Sequence, residues 1–216
     1  MWFNTFFAVT LFASFAMMVR EGLWSNTLSL ANILISGLAA FCFYGPLAAW
    51  LDEQMDGQFT YLIDYVMVWA LFVLFMIACR LLTRMASATR MRFKHPIDPV
   101  GGPLVGFLAA YTMAAFTTAT LFMAPMPKSA LGNRLELAGK ELETVHTDAY
   151  SAGQAVTKWP DLGWLRFVES MSNVDALGVH RDRAFKADRF LATQIVHRGE
   201  LENATLPWYL KVKRGS

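Results

Sequence analysis

Four long apolar stretches, separated by short charged breaks, fill residues 2–19, 27–51, 61–79 and 100–126. Each is close to the ~20 residues that a helix needs to cross a ~30 Å hydrocarbon layer. The first, second and fourth carry no Asp, Glu, Lys, Arg or His, and the third carries only Asp64, near its start. A helix in the core of a soluble domain keeps one polar face. Four uncharged stretches in series therefore predict membrane-spanning helices.

The breaks between the stretches set the orientation. The second break holds Asp52, Glu53 and Asp56 and no Lys or Arg, whereas the third holds Arg80, Arg84, Arg90, Arg92 and Lys94 against one acid, Asp98. Lys and Arg collect in cytoplasmic loops. The basic loop is thus expected inside, together with Arg20 in the first break, and both chain ends outside. Trp2, Trp24, Trp50 and Tyr61 stand at span ends, where an aromatic belt would place them. The basic loop has two readings: it sets orientation alone, or it also binds anionic lipid head groups. Nothing charged precedes Arg20, which argues that the first stretch is a retained span rather than a cleaved signal.

Two spans have a distinctive face. Gly102, Gly106, Ala110, Ala114 and Thr118 follow one another at i+4 in the fourth, a narrow stripe of small residues that lets another backbone come close. The partner is another helix of the chain or a second copy. In the second span Ser25, Ser29, Asn32 and Ser36 share a face, which should turn away from lipid. Ser29, Asn32 and Ser36 are then either hydrogen-bond glue between helices or the lining of a polar route. Pro46, after Gly45, is expected to bend that span.

After Ala124-Pro-Met-Pro127 the composition changes. Residues 128–216 hold 13 Lys/Arg and 11 Asp/Glu, so they read as a solvated region. An amphipathic helix is expected through Leu131, Leu135, Ala138, Leu142 and Val145. A turn is expected at Lys158–Gly163, with further helices over 164–177 and 183–197. Such a region folds by itself or lies on the bilayer. The fold class is thus all-α: a four-helix transmembrane bundle over residues 1–126, followed at 128–216 by a small, mostly helical extracytoplasmic tail.

Composition agrees: 55% of the residues are hydrophobic, and a net charge of +2 gives no reason to expect a nucleic-acid partner. The two cysteines, Cys42 and Cys79, provide no disulfide framework and read as packing residues. No metalloprotease, nucleophile-elbow, phosphate-loop or CxxC motif is present. His95, His146, His180 and His197 lack metal-ligand spacing. No catalytic residue, metal or cofactor is expected.

Three places carry a resemblance to a known family. The segment Val19-Arg-Glu-Gly-Leu-Trp-Ser-Asn-Thr-Leu-Ser-Leu30, then Arg80 with Thr83 and Arg84, and then Asp98 followed by Gly101, Gly102 and Gly106 resemble, in order and spacing, the CvpA-like colicin V production proteins. The resemblance covers about residues 1–126. It implies a four-helix protein of the bacterial inner membrane, associated with colicin V production and envelope processes. It implies no reaction, and nothing for 128–216. The function expected is therefore non-enzymatic service to secretion, toxin production or envelope maintenance. The expected partners are the lipid bilayer and further membrane subunits, either copies of the chain or other proteins of an assembly. The alternative is a channel or transporter subunit with its polar route along the second helix.

Overall fold

The computed structural model describes residues 2–55, 60–86, 97–125, 160–172 and 185–203. These form six helices: α1 (Trp2–Met18), α2 (Leu23–Gln54), α3 (Thr60–Ala86), α4 (Ile97–Thr120), α5 (Pro160–Ser172) and α6 (Ala187–Asn203). The apolar stretches account for the first four. Three of them, within α2, α3 and α4, are long and apolar enough to cross a membrane. The 17 residues of α1 reach about 25 Å at 1.5 Å per residue, a little short of the hydrocarbon thickness. The exposed faces of all four are apolar. Phe12 is 75% exposed, Leu74 61% and Leu104 65%. Several such faces on one small protein would be a liability in water and are what lipid requires. The chain is a membrane protein.

The helices pack in a row rather than in the order of the chain. α1 lies against α4, α4 against α2, and α2 against α3. α2 and α3 form an antiparallel hairpin. Asn32 meets Thr83 near one end, and Phe43 meets Phe75 further along. α4 runs parallel to α2, with Gly102 beside Asn26 and Phe116 beside Phe41.

The helix ends depart from the sequence reading in instructive ways. α2 starts at Leu23, four residues ahead of the apolar stretch, and runs through Pro46 to Gln54. α4 stops at Thr120, not at 126. Leu121, Phe122, Met123 and Ala124 each donate from the backbone to the carbonyl three residues back, a tightening common at helix ends. They are apolar because they are buried, with Phe122 stacked on Phe3, not because the helix goes on. Threonines enter the buried part of α4 at little cost. Thr117, Thr118 and Thr120 donate to Met113, Ala114 and Thr117 carbonyls at 2.8–2.9 Å, so no hydroxyl proton is stranded in an apolar setting.

The tail segments join the same core. Pro160, expected in a turn, opens α5 instead; proline suits a first helical turn, where its missing N–H is not needed. α5 packs on α4 and buries Leu162, Trp164, Leu165 and Val168, while α6 adds Ala187, Phe190 and Leu191 to the same cluster. The Phe185 amide donates to Ser172 Oγ at 2.8 Å, tying the approach to α6 to the end of α5. Near-balanced charge suggested a solvated region, but the apolar face of the helix expected there packs on α4. The helix expected over 131–145 lies outside the described residues. Cys42 and Cys79 are free thiols.

Candidate functional site

Two clusters stand out, one at the end of the row where α1 turns into α2 and one at the middle of the apolar layer. The first is built on a helix reversal. α1 ends at Met18, the Glu21 amide donates to the Met18 carbonyl at 3.0 Å, and Gly22 precedes α2. A tight reversal leaves carbonyls without helical partners. Asn26, one turn into α2 and fully buried, supplies them. Its Nδ2 lies 3.2 Å from the Met18 carbonyl, 3.4 Å from the Glu21 carbonyl and 2.8 Å from the Gly102 carbonyl of α4. One amide thus joins α1, α2 and α4. Its Oδ1 is buried with no hydrogen-bond partner among the described residues.

The glycines of α4 make room for this amide. A Cβ on Gly102 would sit 3.2 Å from the Glu21 carbonyl oxygen, and one on Gly106 would sit 2.9 Å from Asn26 Nδ2. Gly101 faces Leu23 at 3.1 Å. Ala110, Ala114 and Thr118 continue the stripe and are fully buried. The nearest neighbours of Gly102 and Gly106 belong to the same chain. Beside the reversal, Ser25 Oγ donates to Glu21 Oε2 at 2.7 Å, and the carboxylate sits at the start of α2, where the helix dipole favours a negative charge.

The polar face of α2 leads from this junction to α3. Ser25 is exposed and Ser29 half-buried. Asn32 is buried, and its Nδ2 donates to Thr83 Oγ1 at 3.4 Å, while Thr83 donates in turn to the Arg80 carbonyl at 3.1 Å. Ser36 is fully buried, and its hydroxyl has no hydrogen-bond partner among the described residues. Arg80 and Arg84 are exposed near the end of α3, and Arg90, Arg92 and Lys94 lie outside the described residues. The junction therefore joins the first and third of the segments that carry the family resemblance, and Thr83 of the second bonds to Asn32, two residues beyond the first.

The second cluster surrounds Phe116 of α4. Its ring stacks on Phe72 at 4.3 Å and meets Trp69 at 5.6 Å, Phe41 at 5.9 Å and Trp164 at 5.4 Å edge to face. α2, α3, α4 and α5 are thus joined through one side chain. Gly37 is what admits the indole: a Cβ there would fall 2.6 Å from Trp164 Cη2 and 3.3 Å from Phe116 Cδ2. Asp161, at the start of α5, is fully buried and close enough to Tyr111 to act on it electrostatically.

Neither Asn26 nor Gly37 was singled out from the sequence. Asn26 falls one position off the Ser25–Ser29–Asn32–Ser36 face, and its partners are backbone atoms, which leave no mark in a sequence. Gly37 has Ala40 at i+3 as a small neighbour, too short a run to flag it as a contact. Among the described residues, no three His, Cys, Asp or Glu side chains converge as a metal centre would require. His95, His146 and His180 lie outside the described residues, and His197 falls within α6.

Neither a curated protein nor a solved structure matches the chain. A family model described as colicin V production protein matches residues 3–136, a stretch that includes the Asn26 junction and Phe116 but ends before α5. With well over half of the sequence matched in this way, the chain belongs to the colicin V production protein family.

Proposed function

We propose that the chain is a non-enzymatic, multi-pass protein of the bacterial inner membrane that serves secretion, toxin production or envelope maintenance as one part of an assembly. The observation that carries this reading is the family match over residues 3–136. The architecture supports it. The polar side chains of the first cluster are spent on joining helices, as with Asn26 and Asn32. α1 is taken as a fourth pass, its short length offset by thinning of the bilayer around it. Arg20, Arg80 and Arg84 then face the cytoplasm, and both ends of the chain lie outside.

Crosslinking in intact membranes, followed by native mass measurement in mild detergent, tests the assembly. The expected result is a discrete complex containing further copies or specific membrane partners. A strictly monomeric protein that crosslinks to nothing would remove the reading. The competing reading, a route along Ser29, Asn32 and Ser36, meets a closed face: Asn32 and Ser36 are buried in helix contacts. Flux in liposomes that responds to Asn32→Leu would favour it; flux absent, or unchanged by that substitution, would not.

A further inference from the structure

We propose that Arg80 and Arg84 hold the phosphate of an anionic membrane lipid, whose acyl chain lies along α3 over Ile77, Val73 and Val66. From Val66 to Arg84 these residues follow at steps of seven, four, three and four, which keeps them on one flank of a helix. That flank is open: Val66 is 51% exposed, Val73 49% and Ile77 54%, and both arginines are exposed. It lies aside from the face that Thr83 and Phe75 turn to α2. Two cations one helical turn apart repel each other, so an anion between them is favoured. Among the described residues neither arginine side chain has an ion pair. Between the Asn32–Thr83 and Phe43–Phe75 contacts, Arg80 falls level with Ser36 and Gly37 of α2. The nearest acids of α2, Glu21 and Asp52, stand at least 15 residues from that level, and Asp64 of α3 precedes Arg80 by 16.

Depth brings a lipid phosphate to this place. With Asp64 at one surface, Arg84 is 20 residues on, about 30 Å along a helix and thus at the far edge of the hydrocarbon. Arg80 is one turn short of that edge, about 6 Å inside it. The Cα–Cβ bonds of a helix lean toward its N-terminus, which for Arg80 is toward the membrane interior. A charge there is costly unless it meets an anion or water, and a phosphate drawn inward supplies the anion. On α4 the hydrocarbon reaches further toward the same end. Leu104, two residues past the Gly102–Asn26 contact, is level with Leu28 of α2 and is 65% exposed. That level is about 13 Å beyond the level of Arg80. The phosphate layer therefore stands higher beside α3 than beside α4, as a lean of the row or a thinning of the bilayer allows. Guanidinium forks match phosphate oxygens in pairs, and a head group with no cation of its own suits two of them. The site needs lipid around α3, but neither an assembly nor a given orientation.

The test titrates the full-length protein, purified in mild detergent, with dioleoylphosphatidylglycerol and counts retained lipid by native mass spectrometry. Dioleoylphosphatidylcholine and inorganic phosphate serve as comparisons. The expected result is one phosphatidylglycerol held more tightly than phosphatidylcholine and not displaced by inorganic phosphate. Its affinity should fall about fivefold in Arg80→Gln or Arg84→Gln and about thirtyfold when both are changed. Arg20→Gln, which removes an exposed arginine of the first break, should leave it unaltered. Undiminished affinity in the double variant, or an equal loss in Arg20→Gln, would overturn the site. Equal retention of phosphatidylcholine would overturn its preference for an anion, and displacement by inorganic phosphate would overturn the acyl track. Melting in detergent without added lipid is expected to be the same for every variant. A lower melting temperature for the double variant would assign the two arginines to holding α3 in place and overturn the proposal.

Discussion

Single residues with no charge and no reactive group carry much of this structure. The Asn26 amide reaches one carbonyl on each of α1, the reversal and α4. Replacing it by Ala strands those acceptors where water is scarce, so Asn26→Ala is expected to cost about 1–2 kcal/mol, toward the upper end for interhelical hydrogen bonds in membranes. Unfolding in mixed detergent micelles reads the loss. Asn32→Leu should cost much less, because it removes one long bond of 3.4 Å and returns apolar surface. At Gly37 the problem is space. A methyl group there meets an indole that is only 3% exposed and has nowhere to retreat. Gly37→Ala is expected to weaken α5 docking by about 1–3 kcal/mol, the usual range for an overpacked core. Trp164→Ala, which empties the same notch, should cost about 3–5 kcal/mol. Protease cleavage after Arg166, slow when α5 is docked and fast when it is released, reports both. Unchanged cleavage in both variants would mean that the notch does not hold α5.

At the level of elements, the row α1–α4–α2–α3 depends on close backbone approach at one end and on aromatic packing at the other. Gly106→Leu is expected to push Asn26 aside and part α4 from the α1–α2 reversal, lowering thermal stability in detergent. The same change at Gly45, which has open space around it, should leave stability nearly unaltered. The existence of α2, α3 and α4 was legible in their uncharged runs, because lipid forbids charge and a hydrogen-bonded helix is the cheap way across it. Their ends were less legible. Leu121–Ala124 are apolar for burial, which a hydropathy pattern cannot tell from burial in lipid. The stripe from Gly102 to Thr118 was visible because a face turned to lipid gains nothing from small residues repeated at i+4, whereas a helix contact does. Asn26 was not visible, since its partners are main-chain carbonyls brought together by the fold. α5 was misplaced for a related reason. Its charges described the face it shows and concealed the one it buries, and the residue that receives Trp164 is 127 positions earlier in the chain.

For the whole molecule, the family match covers the four-helix part, while α5 and α6 lie beyond residue 136 yet share its core. Family-wide work is thus expected to rest on the row of helices, and what is particular to this chain on what fills its central notch. Orientation follows from charge. An alkaline phosphatase fusion after Ser216 should be active, and one within residues 87–96 inactive, as the placement of Arg80 and Arg84 requires. The opposite pattern would invert the protein without altering its packing. All of this presumes that the exposed apolar faces of α1, α2, α3 and α4 meet lipid. The direct test is an alkaline carbonate wash of membranes from cells that express the full chain, followed by ultracentrifugation. The account predicts that the protein stays in the pellet and leaves it only with detergent. Recovery of the intact chain in the carbonate supernatant would contradict it.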